Sequence, residues 1–176
     1  MYIPKGIALA SQSDLTVPTL AKNYAYKLGT IIEAEDSDNI GVVCKFMYVK
    51  SHAALTAYQP YEIAYSVSGT EVITAAPLTC AAPGVQVCVP QVAFTSGYYG
   101  FVLIQGTGKS LMTTETYALG DILQLVTTAS TLVVDGSTGS TTLSTGNACG
   151  VCREAGSTAV ARKVYLIGNM AVIAAS

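Results

Sequence analysis

The run Phe101-Val-Leu-Ile-Gln-Gly-Thr-Gly-Lys-Ser-Leu111 contains the segment that decides the fold class, Gln105-Gly-Thr-Gly-Lys-Ser110. Read as a phosphate-binding loop, it makes the chain an α/β nucleotide binder. Read as a turn, it joins two β-strands. A phosphate loop has the form G-x-x-x-x-G-K-S, which places its first glycine at a position that here is Leu103. Such a loop must also open a helix, whose first amides hold the phosphates. Ser110 instead runs into Leu-Met-Thr-Thr-Glu-Thr, which carries no helical apolar stripe. The apolar residues before the glycines and the Thr-rich residues after them read as two arms of a hairpin. Gly106 and Gly108 then supply the positive φ angles of its turn, and Lys109 is a solvated lysine at the tip.

Outward from that point the pattern is β. GTIIEAE (29–35), GVVCKFMYVK (41–50), YEIAYSVSG (61–69), TEVITAA (70–76), GVQVCVPQVAF (84–94), YYGFVLIQG (98–106) and KVYLIGNMAVI (163–173) are short runs of Val, Ile, Tyr, Phe and Thr. Gly, Pro, Asn and Asp bound them, as they bound strands. Val85, Val87 and Val89 alternate with Gln86, Cys88 and Pro90, the period of a half-buried strand. Turns are expected at Ser68-Gly69, Pro83-Gly84, Gly106 to Lys109, Asp135-Gly136 and Gly146-Asn147. That spacing suits a sandwich or barrel. Two places tempt a helix: 51–58, where Ser51 precedes an Ala-rich stretch, and 117–126, with apolar residues at Leu119, Ile122, Leu123 and Val126. The β context favours a turn followed by a strand for the second. Residues 127–146, rich in Thr, Ser and Gly, read as a flexible hairpin or long loop. Residues 1–23 show neither period and are interrupted by Pro4 and Pro18. They read as an extended arm lying over its own domain or a neighbour. The expected architecture is all-β, an antiparallel β-barrel or β-sandwich (24–176) with an extended N-terminal arm (1–23) and little helix.

Only 11% of the residues are charged, against 51% hydrophobic, where average soluble domains carry roughly 25% charged residues. No window approaches the roughly 18 consecutive apolar residues of a spanning helix; a transmembrane barrel, whose alternation is weak, is the remaining membrane form, but residues 1–22 lack the features of the secretory signal it would need. The reading is therefore no membrane, and a surface buried against other copies or a partner. The net charge of −2 and the scattered basic residues lack the clustered footprint of a nucleic-acid binder.

The residue clusters that carry chemistry elsewhere are weak here. Cys149-Gly-Val-Cys152 has redox spacing, but it reads as a strand leaving a Gly-Asn turn rather than a helix N-terminus. On a strand those two residues face opposite sides. With Cys44, Cys80 and Cys88 they read as buried reduced thiols; zinc or a disulfide are the alternatives. Glu33, Glu35, Asp36 and Asp38 form an acidic turn whose alternate carboxylates could hold calcium, though the later Gly and Glu of an EF-hand are missing. His52, the single histidine, stands in no catalytic signature. No catalytic, cofactor or metal residue is assigned, and the chain is expected not to be an enzyme. The eleven tyrosines, including Tyr58, Tyr61, Tyr98 and Tyr99, suit either cross-strand packing or an interface.

In order along the chain, YKLGT (26–30), the acidic turn, KFMYVKSHAAL (45–55), GYYGFVLIQG (97–106), YALGDIL (117–123) and GNACGVCREA (146–155) resemble the layout of small tailed-phage virion proteins that decorate or cement the capsid surface. The resemblance covers about residues 26–168. It implies a non-enzymatic β-barrel or sandwich, a homotrimer, made in the host cytoplasm and located on the virion. Its partner would be the major capsid protein, whose neighbouring subunits it would lock together. The contact residues expected on that reading are Tyr2, Ile3, Pro4, Leu15 and Val17 of the arm, with Tyr98 and Tyr99. A rival of the same composition is a receptor- or carbohydrate-binding β-module of a phage fibre or appendage, with aromatic residues near the acidic turn as its site.

Overall fold

In the computed structural model the chain is described over residues 2–4, 15–23, 26–36, 41–65, 71–74, 86–126, 131–134 and 148–168. These residues hold eleven strands: β1 (Tyr2–Pro4), β2 (Ile31–Asp36), β3 (Val43–Ser51), β4 (Tyr61–Tyr65), β5 (Glu71–Thr74), β6 (Gln86–Cys88), β7 (Tyr99–Leu111), β8 (Ile122–Val126), β9 (Thr131–Val134), β10 (Ala148–Cys152) and β11 (Ala161–Leu166). The protein is all-β and almost entirely antiparallel, as the composition predicts. Among the described strands one pairing is parallel, β3 with β5 at Lys50 and Ser51, as is the isolated bridge of Met112 with Leu132.

β3 and β7 lie at the centre, paired from Lys45↔Gln105 to Lys50↔Tyr99. The other edge of β3 carries β2 opposite Val43 to Met47 and then β5 at its end. β5 continues to β4 and β4 to β6. Just past β6, Val89 and Leu103 exchange backbone hydrogen bonds of 2.8 and 3.2 Å, so this half of the sheet curls back onto β7. Inside it lies a small core of Met47, Val49, Leu55, Tyr61, Ile63, Cys88, Phe94, Val102 and Ile104.

From Gly106 onward β7 changes partner and pairs with β11, up to Leu111↔Ala161. β11 continues to β10, β10 to β8 and β8 to β9. A bridge between Met112 and Leu132 brings β9 back to the end of β7. Two small barrel-like halves thus share one long strand. The main core joins them, running from Phe46, Tyr48, Phe101 and Leu103 to Met112, Leu123, Leu132, Cys149, Cys152 and Val164. Along β3 and β7, successive side chains go alternately to the two cores. Both faces are therefore buried, and the segment reads as a nearly unbroken apolar run.

The expected hairpin at Gly106 to Lys109 is not what forms. All of Gln105 to Ser110 lies within β7, and the chain stays extended to Leu111. The glycines serve a corner instead of a turn. Lys45 faces Gln105 while Phe46 faces Leu103, so Ile104 is an extra residue that bulges and bends the strand. Immediately after it, Gly106 adopts φ 102°. A strand that passes from one sheet to another turns its corner by such a bulge and bend. Gly108 needs no positive φ; close packing is what excludes a side chain there.

Thr131–Val134 is a strand that pairs antiparallel with β8, as the hairpin reading of 127–146 expects, and Leu132 finds a place in the main core. Residues 51–58 form no helix; Leu55 instead bridges Phe94. At 117–126 a turn followed by β8 is found. Cys80, Asp38 and the expected turns at 68–69, 83–84, 135–136 and 146–147 lie outside the described residues. At the N-terminus, β1 pairs with β2 from Tyr2↔Asp36 to Pro4↔Ala34, so the start of the arm adds a strand to its own domain. Leu15 enters the main core, and Thr19 exchanges two 2.8 Å backbone bonds with Tyr99.

Candidate functional site

The corner brings six distant segments to one concavity. Leu15 and Thr16 of the arm, Asp36 of β2, Tyr58, Gln91 and Val92, Thr107 to Lys109 of β7 and Lys163 of β11 line a groove of about 240 Å³. Its floor is built from the backbone upward. Gln91 lays its amide along the edge of β7. Its Oε1 accepts from the Lys109 N–H at 2.9 Å, and its Nε2 donates to the Lys109 carbonyl at 3.1 Å and to that of Val89 at 3.2 Å. The side chain thereby replaces one residue of a missing neighbouring strand. The amide can lie so close because residue 108 is glycine: a Cβ there would sit 2.4 Å from Leu103 Cδ2 and 3.0 Å from Gln91 Oε1.

Lys109 and Lys163 are directly opposite across β7 and β11. Both backbone groups of Lys109 face Gln91. Those of Lys163 face the other way, its N–H donating to Glu154 Oε2 at 3.0 Å and its carbonyl accepting from Arg153 N–H at 2.9 Å. The two lysines therefore form a non-hydrogen-bonded pair, in which Cα atoms approach to about 4.5 Å. Like charges so placed repel each other. The Lys109 ammonium lies 5.9 Å over the ring of Tyr58, a partial compensation, and Asp36 lines the same groove.

Tyr58 is the one non-glycine residue with positive φ among the described residues, at 66°. That conformation costs about 1–3 kcal/mol. It is held by the Tyr58 N–H donating to Pro90 at 2.7 Å and the Leu111 N–H donating to Tyr58 at 2.8 Å. A second hollow at the corner, about 380 Å³, lies among Ile31, Lys45, Gln86, Ile104, Gln105, Ile167 and Gly168. It is the larger, but it lacks the first groove's convergence of charge, hydroxyl and aromatic ring. The first is therefore the candidate site. By sequence alone Lys109 is a loop tip and Tyr58 one tyrosine among many. The signal that could have joined them, the facing of Lys109 with Lys163, depends on strand register.

The residues expected at an intersubunit contact have different fates. Leu15 is spent inside its own chain, 3% exposed, because an apolar side chain beside the main core gains more there than in water. Val17 is 57% exposed. Tyr2, Ile3 and Pro4 form β1. Tyr98 packs against the small core. Tyr99 stacks on Tyr48 at 6.3 Å under the Lys50 ammonium. His52 is exposed, its carbonyl accepting from Ser96 Oγ at 3.2 Å. Of the acidic turn, Glu33 faces Lys45 across β2 and β3, and Glu35 Oε1 accepts from the Gly41 N–H at 2.8 Å. Among the described residues no three His, Cys, Asp or Glu side chains gather as a metal site requires.

Cys44, Cys88, Cys149 and Cys152 are buried free thiols. Cys149 and Cys152 do not face opposite sides as strand alternation predicts; both reach the main core. A register shift between Ala148 and Gly150 makes Cys149 an extra residue on β10, and the bulge resets the alternation. Burial pushes the Cys44 thiol up to about 11, with the Asp36 charge adding to the rise. Burial, with Glu62 nearby, also pushes Cys88 up. An unfolded thiol ionises near pH 8.5. The folded state therefore holds protons that the unfolded state loses, and stability falls as pH rises from about 8.5 through about 11. Urea midpoints should be flat from neutral pH to about 8.5 and decline above it. The decline should largely disappear in Cys44→Ala/Cys88→Ala; an unchanged slope in that variant would refute the assignment.

No protein-family model matches the chain, and no curated protein matches it. Among solved structures it is similar to the head fiber gp8.5 N base of bacteriophage phi29. The TM-score is 0.47 at 13% identity, over 69% of this chain and 92% of that one. A likeness this loose carries no argument about function.

Proposed function

We propose that the chain is a non-enzymatic virion structural protein that binds the outer surface of a tailed-phage capsid lattice. As a homotrimer made in the host cytoplasm, it stabilises the lattice by bridging major capsid subunits. The observation that supports this best is the segment following Leu15. Leu15 is anchored in the core and Thr19 is tied to Tyr99, yet Val17 and Leu20 between and beside them are 57% and 68% exposed. Apolar side chains held out by a fixed backbone lose little entropy on meeting a partner. Leu119, Ile122, Val160, Ile31 and Ile167 are exposed as well, on a chain with few charges to keep such a surface wet. A protein bound only to the assembled lattice stabilises it by mass action.

The test is co-expression with the major capsid protein of the same genome. Particles should carry the chain stoichiometrically and disassemble at a higher temperature than particles without it. Val17→Asp/Leu20→Asp should abolish incorporation while leaving the free chain folded. Particles that exclude the wild-type chain would sink the reading, and native mass spectrometry showing a monomer would remove the trimer. The appendage reading, a carbohydrate-binding β-module, draws its support from the Tyr58 groove.

A further inference from the structure

We infer that the groove between Tyr58 and the Lys109–Lys163 pair binds an acidic sugar, its carboxylate held between the two ammonium groups. The inference deepens the appendage reading but rests on the groove alone, so it stands or falls separately from any lattice binding. Three features of the groove carry it. First, two lysines sit directly opposite in a non-hydrogen-bonded cross-strand pair, a costly arrangement that a bound anion relieves. Second, Tyr58 is kept at φ 66° by two backbone bonds. Residues held in such conformations cluster at functional sites. Third, the Gln91 amide pins both the N–H and the carbonyl of Lys109, so the backbone from which the lysine stem rises is fixed before a ligand arrives.

The ligand class follows from the mixture of groups. A neutral apolar ligand leaves both ammonium groups uncompensated. A sugar acid presents one carboxylate for the lysines and several hydroxyls that both donate and accept. The apolar face of the sugar ring suits the aromatic surface of Tyr58. A volume of about 240 Å³ is below the roughly 300–1,000 Å³ of pockets for drug-sized ligands, which limits the bound portion to one sugar unit.

The test is ligand-observed NMR and titration of the intact chain with glucuronate, glucose, inorganic sulfate and a short polyglutamate. Saturable millimolar binding of glucuronate is expected, weakened about tenfold in Lys109→Gln or Lys163→Gln, as for loss of a charged hydrogen-bond partner. Glucose should bind at least about tenfold more weakly than glucuronate. Tyr58→Asn should also weaken glucuronate while leaving stability equal or higher, because Asn tolerates positive φ. A purely structural Tyr58 would move stability alone. Sulfate or polyglutamate binding as tightly as glucuronate would overturn the sugar assignment. Absence of glucuronate binding, or equal binding by both lysine variants and wild type, would overturn the site.

Discussion

Gly106→Ala is expected to destabilise the protein by about 2–5 kcal/mol, reaching the upper end of what single substitutions do. Two costs add. An L-residue in the left-handed region costs roughly 1–2 kcal/mol, and Gly106 sits at φ 102°. In addition, a Cβ at that position would lie 2.7 Å from Cys44 Cα and 2.8 Å from its Sγ. The Cα cannot step aside, because Cys44 is held in register with Ala34 on β2, and forcing extra atoms into such packing costs about 1–3 kcal/mol. Gly97→Ala is the control. Gly97 has φ 80° with open space where the Cβ would go, so only the conformational cost applies and a loss of about 1–2 kcal/mol is expected. Urea denaturation of both variants separates the two effects. Equal losses would mean that the corner yields and that the contact with Cys44 is not what fixes residue 106 as glycine.

The same corner shows where sequence reading stops. Strand-forming runs are legible because their composition answers to a local requirement, a pleated and buried surface, and β2, β3, β4, β5, β6 and the first half of β7 lie where those runs are. Gly106-Thr-Gly-Lys109 is equally turn-like in composition, yet it is strand. Its glycines answer to Cys44 in one case and to Leu103 and Gln91 in the other, neighbours that only the folded sheet supplies. Cys149 and Cys152 escape the alternation rule because of a bulge whose cause lies in the pairing with β8. The β9 strand is foreseen only as part of a hairpin without a fixed place, because its four residues stand among Thr, Ser and Gly and only the folded core selects Leu132. The groove was the least legible feature. Lys109 and Lys163 become a pair only through the register of β7 with β11, and Tyr58 becomes unusual only through its backbone angle. Local composition thus revealed the class of fold and most strands, whereas the corner and the site rest on long-range register.

The second large effect tests whether Gly108 and Leu103 are fitted to each other. Leu103 is fully buried, faces the main core and bridges Val89 through its backbone. Leu103→Ala leaves that bridge intact and should cost about 2–5 kcal/mol through lost burial and a cavity. Gly108→Ala should cost about 1–3 kcal/mol for the opposite reason, overpacking, since its Cβ would fall 2.4 Å from Leu103 Cδ2. The Leu103 side chain is fully buried, so moving it aside displaces other core atoms. Gln91, the other neighbour, can retreat only by releasing the N–H and carbonyl of Lys109. In the double variant the methyl group of residue 108 meets the space that Leu103 has vacated, so clash and cavity offset each other. The double loss should therefore fall short of the sum of the single losses by about 1–3 kcal/mol, within the range seen for contacting pairs. Denaturant unfolding of the four proteins measures this directly. Additivity to within about 0.5 kcal/mol would mean that the two positions relax independently, and that Gly108 is kept small by Gln91 alone.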